Sequence, residues 1–160
     1  MSVARLHVPT VLRWGDLDAY RHVNNAEMLH LLEEARIQAF WSAGEESGDD
    51  SVTQILDSSP GTQTWTLIAR QEVEYLAPIA YTRLPLDIQL WIGHMGGASL
   101  EIYYEVFSPV GVEPQVLHTR AASTLVLVDA TTQRPRRIAE AERAAWEPYV
   151  DEPLVFRRRQ

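Results

Sequence analysis

The amino-acid sequence predicts a two-layer α+β domain, with an antiparallel sheet curled around one long helix. Three observations carry that prediction. One long apolar helical run lies near the start of the chain, four strand-like segments follow it, and turn-like residues link those segments. Strands that succeed one another through short links pair antiparallel.

Leu6 to Trp14 reads as a first strand. Val8, Val11 and Leu12 are its apolar residues, and Pro9 marks it as an edge or an irregular start. Asp16 to Asn25 reads as a loop. Ala26 to Ala43 reads as the helix, because Leu29, Leu32, Arg36, Ala39 and Phe40 recur at three- and four-residue spacing. Met28, Leu31, Ala35 and Trp41 broaden the stripe, so the helix needs cover on more than one side. Asn24 is its expected N-cap, Glu27 three residues on suggests a capping box, and Gly44 supplies a stop. Glu45 to Gly61 is polar and reads as a loop, with a turn of helix around Val52 to Leu56.

Thr64 to Tyr75 is rich in β-formers. Leu84, Leu86, Ile88, Leu90 and Ile92 alternate strictly, the period of a half-buried strand, and Leu100, Ile102, Tyr104 and Val106 alternate again. Gly93 to Gly97 reads as the hairpin link between them, with His94 on the surface. The turn Ser108-Pro109-Val110-Gly111 precedes a last strand, Val116 to Val128. A short helix from Ala139 to about Trp146 ends the pattern. Trp65, Tyr75, Trp91, Tyr103 and Phe107 fall on strands and read as core or dimer packing, or as the lining of an acyl pocket.

A chain of 160 residues with 46% hydrophobic content fits one domain spanning residues 1–160. Its core covers about 6–129, and a C-terminal extension about 135–160. The net charge of −8 argues against nucleic acid, whose phosphates call for clustered Lys and Arg. The one basic run, Arg157-Arg158-Arg159, reads as a solvated tail. No apolar run reaches the roughly 20 residues of a membrane span, and Met1 to Arg5 leads into no signal-like apolar stretch. Cysteine is absent, which removes disulfides and thiolate sites and suits a reducing compartment, so a cytoplasmic location is expected.

The densest chemistry lies between the first strand and the helix, in Arg13-Trp14-Gly15-Asp16-Leu17-Asp18-Ala19-Tyr20-Arg21-His22-Val23-Asn24-Asn25. Two carboxylates, a histidine and two asparagines crowd a helix N-terminus, whose first N–H groups have no partner within the helix. A carboxylate beside free N–H donors suits acyl transfer.

This stretch, followed by Leu32-Glu33-Glu34-Ala35-Arg36, resembles the 4-hydroxybenzoyl-CoA thioesterase-like branch of the hotdog-fold superfamily. Val73-Glu74-Tyr75-Leu76-Ala77-Pro78-Ile79 resembles a later strand-and-proline segment of that family, and the order of elements matches from Leu6 to Val128. The resemblance implies a hotdog fold, a homodimer or a dimer of dimers, and hydrolysis of an acyl-CoA or acyl-carrier-protein thioester. It implies that the second carboxylate, Asp18, is catalytic. It also implies that backbone N–H near Asn24 or Asn25 polarises the thioester carbonyl, and that each site is completed by the second copy. Some relatives carry a histidine or an aromatic residue where this chain has Asn25.

Asp18 could attack the carbonyl as a nucleophile or take a proton from water as a base. An aspartate in water is already ionised at neutral pH, and thiolate leaves readily. The competing reading makes both aspartates turn residues. Asp16 is assigned to the turn and Asp18 to chemistry. His22, Tyr20 and Arg83 are assigned to substrate, with Arg134, Arg136 and Arg137 as further candidates for coenzyme A phosphates. No metal or cofactor is expected beyond coenzyme A as part of the substrate, because Asp16, Asp18 and His22 lack the spacing of a metal set. The alternative function is a non-catalytic hotdog protein that binds acyl groups or acyl-CoA.

Overall fold

A computed structural model describes residues 4–42, 53, 56 and 60–157. Its elements are β1 (Leu6–Thr10), α1 (Asn25–Phe40), β2 (Thr64–Tyr75), β3 (Leu86–Met95), β4 (Ser99–Phe107), β5 (Leu117–Asp129) and α2 (Glu140–Trp146). The five strands form one sheet in the order β1-β3-β4-β5-β2, and every pairing is antiparallel. The α+β architecture expected from the sequence is therefore present, with β1 and β2 as the two edges. Pro9 sits on an edge strand, where its missing N–H is tolerated.

Helix α1 buries Met28, Leu31, Leu32, Ala35, Arg36, Ala39 and Phe40. This is the stripe at three- and four-residue spacing, and the inward residues Ile88, Leu90, Ile92, Leu100, Ile102, Tyr104 and Val106 are its counterpart on the sheet. Burying a side chain of that size is worth about 1.5–3 kcal/mol. Arg36 lies on the buried side, 5% exposed, and donates from Nη1 to the buried Tyr104 hydroxyl at 3.1 Å.

Several boundaries and contacts differ from expectation. β1 ends at Thr10, and the chain then makes a single 3-10 turn at Trp14–Asp16. Pro85 delays β3 until Leu86, which leaves Leu84 exposed. At the other end β3 runs through His94, paired with Glu101, and Met95, so the hairpin link is shorter than Gly93 to Gly97. His94 is exposed, as read. Gly93 stands at the register shift in β3, and a Cβ there would strike the Tyr103 ring. The capping box at α1 does not form. Asn24 Oδ1 accepts from Ala26 N at 2.8 Å, while Asn24 N–H is taken by the Asp16 carbonyl. Glu27 is thereby left to pair with His30 at 3.0 Å. Gly44 and most of the turn expected near Val52 to Leu56 lie outside the described residues.

The alternation in β3 predicts one buried face, yet both faces are covered. On the side away from α1, Arg5 binds Glu105 at 2.7 Å and lies 4.0 Å over the Trp91 ring. Asp87 accepts from His7 and Gln89. The C-terminal segment crosses the same face. Trp91 donates its indole N–H to the Glu152 carbonyl at 3.0 Å, and Phe156 stacks on Tyr103. Arg157 is anchored by its backbone N–H on Glu74 at 2.9 Å, so the start of the basic tail is held against the sheet.

Helix α2 carries Trp146 into the core, fully buried, edge-on to Phe40, with its indole N–H on the Thr53 carbonyl. Arg136 grips Glu142 through two hydrogen bonds of 2.6 and 2.8 Å and also reaches Thr64, which fixes α2 beside β2. Truncating Trp146 to alanine should lower the unfolding free energy by about 3–5 kcal/mol, because the cavity cannot collapse. Urea denaturation of Trp146→Ala against the parent chain measures this, and a loss below about 1 kcal/mol would contradict the packing.

Candidate functional site

Between the 3-10 turn and α1 the chain doubles back on itself. Leu17 and Val23 form an antiparallel bridge, Asp18 N–H donates to the His22 carbonyl at 2.7 Å, and Asn24 N–H donates to the Asp16 carbonyl. The bend between them is closed by Arg21 N–H on the Asp18 carbonyl at 3.0 Å. Aspartate suits the first position of such a turn because its side chain also accepts from backbone ahead of it. Asp18 Oδ1 does so twice, from Tyr20 N at 2.8 Å and from His22 N at 3.1 Å. Its Oδ2 accepts no hydrogen bond among the described residues. Arg21 leaves the turn with φ of 65°, in the left-handed region.

Asp16 is the turn residue that the sequence suggests. It is 1% exposed and accepts from Arg13 N at 2.7 Å and from the Arg13 guanidinium at 3.1 Å. That contact, the Asp16 hydrogen bond first, raises the Arg13 pKa further.

Asp18, His22, Val23, Asn25, Met28, Tyr75, Leu76, Ala77, Pro78, Ile79 and Thr119 line a cavity of about 360 Å³. Three elements build most of it, and β5 adds Thr119. The turn supplies Asp18 and His22, the first turn of α1 supplies Asn25 and Met28, and the end of β2 with its following segment supplies residues 75–79. Val23 N–H donates to the Ile79 carbonyl at 2.9 Å, and His22 bridges to Ala80, so the turn is laced to that segment. The Tyr75 hydroxyl donates to the Asn25 carbonyl at 2.7 Å and pins the helix start to β2. Burial pushes the Tyr75 pKa up, so it remains a donor at neutral pH.

Asn24 caps the helix through Ala26 N–H, and the Asn25 side chain accepts from the same N–H at 2.9 Å. The backbone N–H of Asn25 has no acceptor among the described residues. It carries the partial positive charge of a helix N-terminus at the cavity wall. The structure thus gathers Asp18, His22 and Asn25 in one cavity, with Asn24 behind them as cap. Tyr20 is 80% exposed and Arg83 is also exposed, and neither lines the cavity. Arg136 is already committed to Glu142. Tyr75 was among the aromatics that the sequence offered as a pocket lining, whereas Leu76 and Thr119 were missed as cavity walls. Tyr75 and Leu76 lie in the Val73 to Ile79 stretch that already stood out, but nothing local in Thr119 signals its place opposite Tyr75 on β5.

A larger opening of about 890 Å³ lies at the C-terminal end of α1, lined by Trp41, Trp65, Arg136 and Glu142 among others. It borders the stretch 43–59, most of which the structure does not describe, and its two charged walls satisfy each other. Among the described residues no group of three His, Asp or Glu side chains is placed to hold a metal ion. No helix among them is long and apolar enough to cross a membrane.

The same fold recurs in solved structures. A protein of Bacillus stearothermophilus described as a predicted thioesterase is 23% identical, with a TM-score of 0.70 over 94% of this chain and 99% of its own. A thioesterase-superfamily protein from Jannaschia sp. CCS1 is 22% identical, with a TM-score of 0.69 over 94% of each chain. A thioesterase from Thermus thermophilus, solved in complex with coenzyme A and zinc, is 26% identical, with a TM-score of 0.63 over 94% of this chain and 96% of its own. No curated protein matches the chain in sequence. The family model described as the thioesterase-like superfamily matches residues 12–152, which includes the turn, α1 and all of β2 to β5, and the chain belongs to that superfamily.

Proposed function

We propose that this protein hydrolyses an acyl-CoA or acyl-carrier-protein thioester to the free carboxylic acid and thiol, with Asp18 as the reacting carboxylate. The observation that carries the reading is that one cavity holds the Asp18 carboxylate, with Oδ2 unengaged, and the first residue of α1, whose N–H lacks an acceptor.

The thioester carbonyl oxygen sits at the Asn25 N–H, where developing negative charge meets the helix N-terminus. Asp18 Oδ2 then follows one of two routes. As a nucleophile it adds to the carbonyl carbon, the C–S bond breaks, the thiolate leaves and takes a proton from solvent, and water hydrolyses the mixed anhydride to regenerate Asp18. As a base it takes a proton from water, whose oxygen attacks the carbonyl directly; the C–S bond then breaks, and the leaving thiolate takes up a proton as Asp18 gives its own back. His22 and Met28 contact the acyl group, while Tyr75 keeps the helix start in place.

The active form is a homodimer or a dimer of dimers built on β2. This strand is a twelve-residue edge of the sheet with no second strand beside it among the described residues, and Trp65 and Leu67 on it are 44% and 53% exposed. An exposed edge of that length is a template for a second strand. Pairing there would bring the partner against Tyr75 and the cavity mouth. Sedimentation should give a particle of twice or four times the 18.2 kDa chain mass, and a monomer at micromolar concentration would contradict the assembly.

Thiol release from a panel of acyl-CoAs of varied length and aromatic character tests the activity and the acyl preference together. Saturable, enzyme-dependent release from at least one member is expected. Tight binding of the panel without any thiol release would overturn hydrolysis in favour of a non-catalytic acyl-CoA-binding protein.

A further inference from the structure

Trp14 lies four residues before Asp18, yet it is 71% exposed, uncommon for the largest apolar side chain. It is also held in place. Its ring stacks on Tyr81, with centroids 4.4 Å apart and an interplanar angle of 11°. One face of the indole is covered by Tyr81, and the exposure leaves the other open.

The stack is tied to the site by its neighbours. Tyr81 follows Ala80, which bridges to His22, and Ile79 in the same segment lines the cavity. Two arginines stand close to these residues along the chain. Arg83 is two residues beyond Tyr81 and exposed, and Arg21 is exposed on the turn that carries Asp18. Neither side chain has a partner among the described residues, whereas Arg13 is tied to Asp16. Unpaired arginines are notable on a chain of net charge −8. Arg21 also holds a φ of 65°, a conformation that L side chains rarely adopt and glycine adopts readily. Local strain of that kind persists at functional positions.

We propose that the open face of Trp14, backed by Tyr81, is the platform for the adenine of a coenzyme A thioester, and that Arg21 and Arg83 receive its phosphates. A rigid aromatic face holds a base by stacking, and arginine suits phosphate oxygens. This rests on the thioesterase reading and adds to it a side: the acyl end enters the cavity, the pantetheine arm leaves past His22 and Ala80, and the nucleotide lies on the outer surface of the turn. It also selects the coenzyme A form of the thioester, because a carrier protein presents no adenine.

The test compares binding of free coenzyme A with binding of pantetheine, which lacks the nucleotide, by calorimetry on the full chain. The parent protein should bind coenzyme A more tightly. Trp14→Ala should shrink that preference about five- to 150-fold, the range spanned by stacking one base on an aromatic side chain. Trp14→Phe should restore part of it. Arg83→Ala and Arg21→Gly should each shrink it about threefold, the worth of a solvated charge contact. Arg21→Gly suits the left-handed backbone there, and pantetheine binding by the same variant controls for any loosening of the turn. A preference unchanged in these variants, or a parent protein that binds both ligands equally, overturns the platform. Turnover separates the two readings: thiol release with an unchanged preference sinks the platform alone, whereas a lost preference in a protein that releases no thiol sinks hydrolysis alone.

Discussion

Helix α1 has to be buried along one whole side, and the rest of the molecule is arranged by that constraint. Seven of its residues at helical spacing are covered by the sheet. A sheet that wraps a single helix brings the end of its edge strand β2 beside the helix start, where Tyr75 reaches the Asn25 carbonyl. The helix N-terminus is thereby fixed against the segment 76–80, and the turn before it is laced to the same segment through Val23 and His22. The cavity is the space left between three elements that hydrophobic burial has already placed.

Within that frame the two carboxylate oxygens of Asp18 have different surroundings. Oδ1 closes the turn by accepting two backbone N–H groups. Oδ2 is spared, and it lies on a residue that lines the cavity next to Asn25. The two readings of this aspartate, turn residue and reacting group, are therefore compatible. A local hydrogen-bond requirement holds the carboxylate still, and that is the preorganisation a reaction at a fixed carbonyl needs. Asp16, two residues earlier, has both oxygens taken by Arg13 and is sealed from solvent, so the two aspartates differ in environment.

Much of this was legible in the residues. The helical stripe from Met28 to Phe40, the strict alternation of Leu86 to Ile92 and Leu100 to Val106, and the N-cap at Asn24 each rest on short-range spacing, and each formed. What was not legible depends on distant partners. The outer face of β3 looks solvent-facing until Arg5 and the segment from Glu152 to Phe156 are laid over Trp91 and Tyr103. The capping box at Asn24 and Glu27 failed because the Asp16 carbonyl, eight residues away, claims the same N–H. At the site, Asp18 and Asn25 could be read from one continuous motif. Tyr75 and Thr119 could not be placed without the β2–β5 register, and Tyr20 and Arg83, both assigned to substrate, lie off the cavity.

The division of labour within Asp18 is best measured by comparing Asp18→Asn with Asp18→Ala, each for unfolding free energy and for thiol release. Asparagine keeps an oxygen for the Tyr20 and His22 N–H groups and loses the charge. Alanine loses both. The account predicts an Asn variant within about 0.5 kcal/mol of the parent in stability and an Ala variant weaker by about 1–2 kcal/mol, with thiol release lost in both. An Asn variant that turns over at the parent rate, or an Ala variant as stable as the parent, would contradict it.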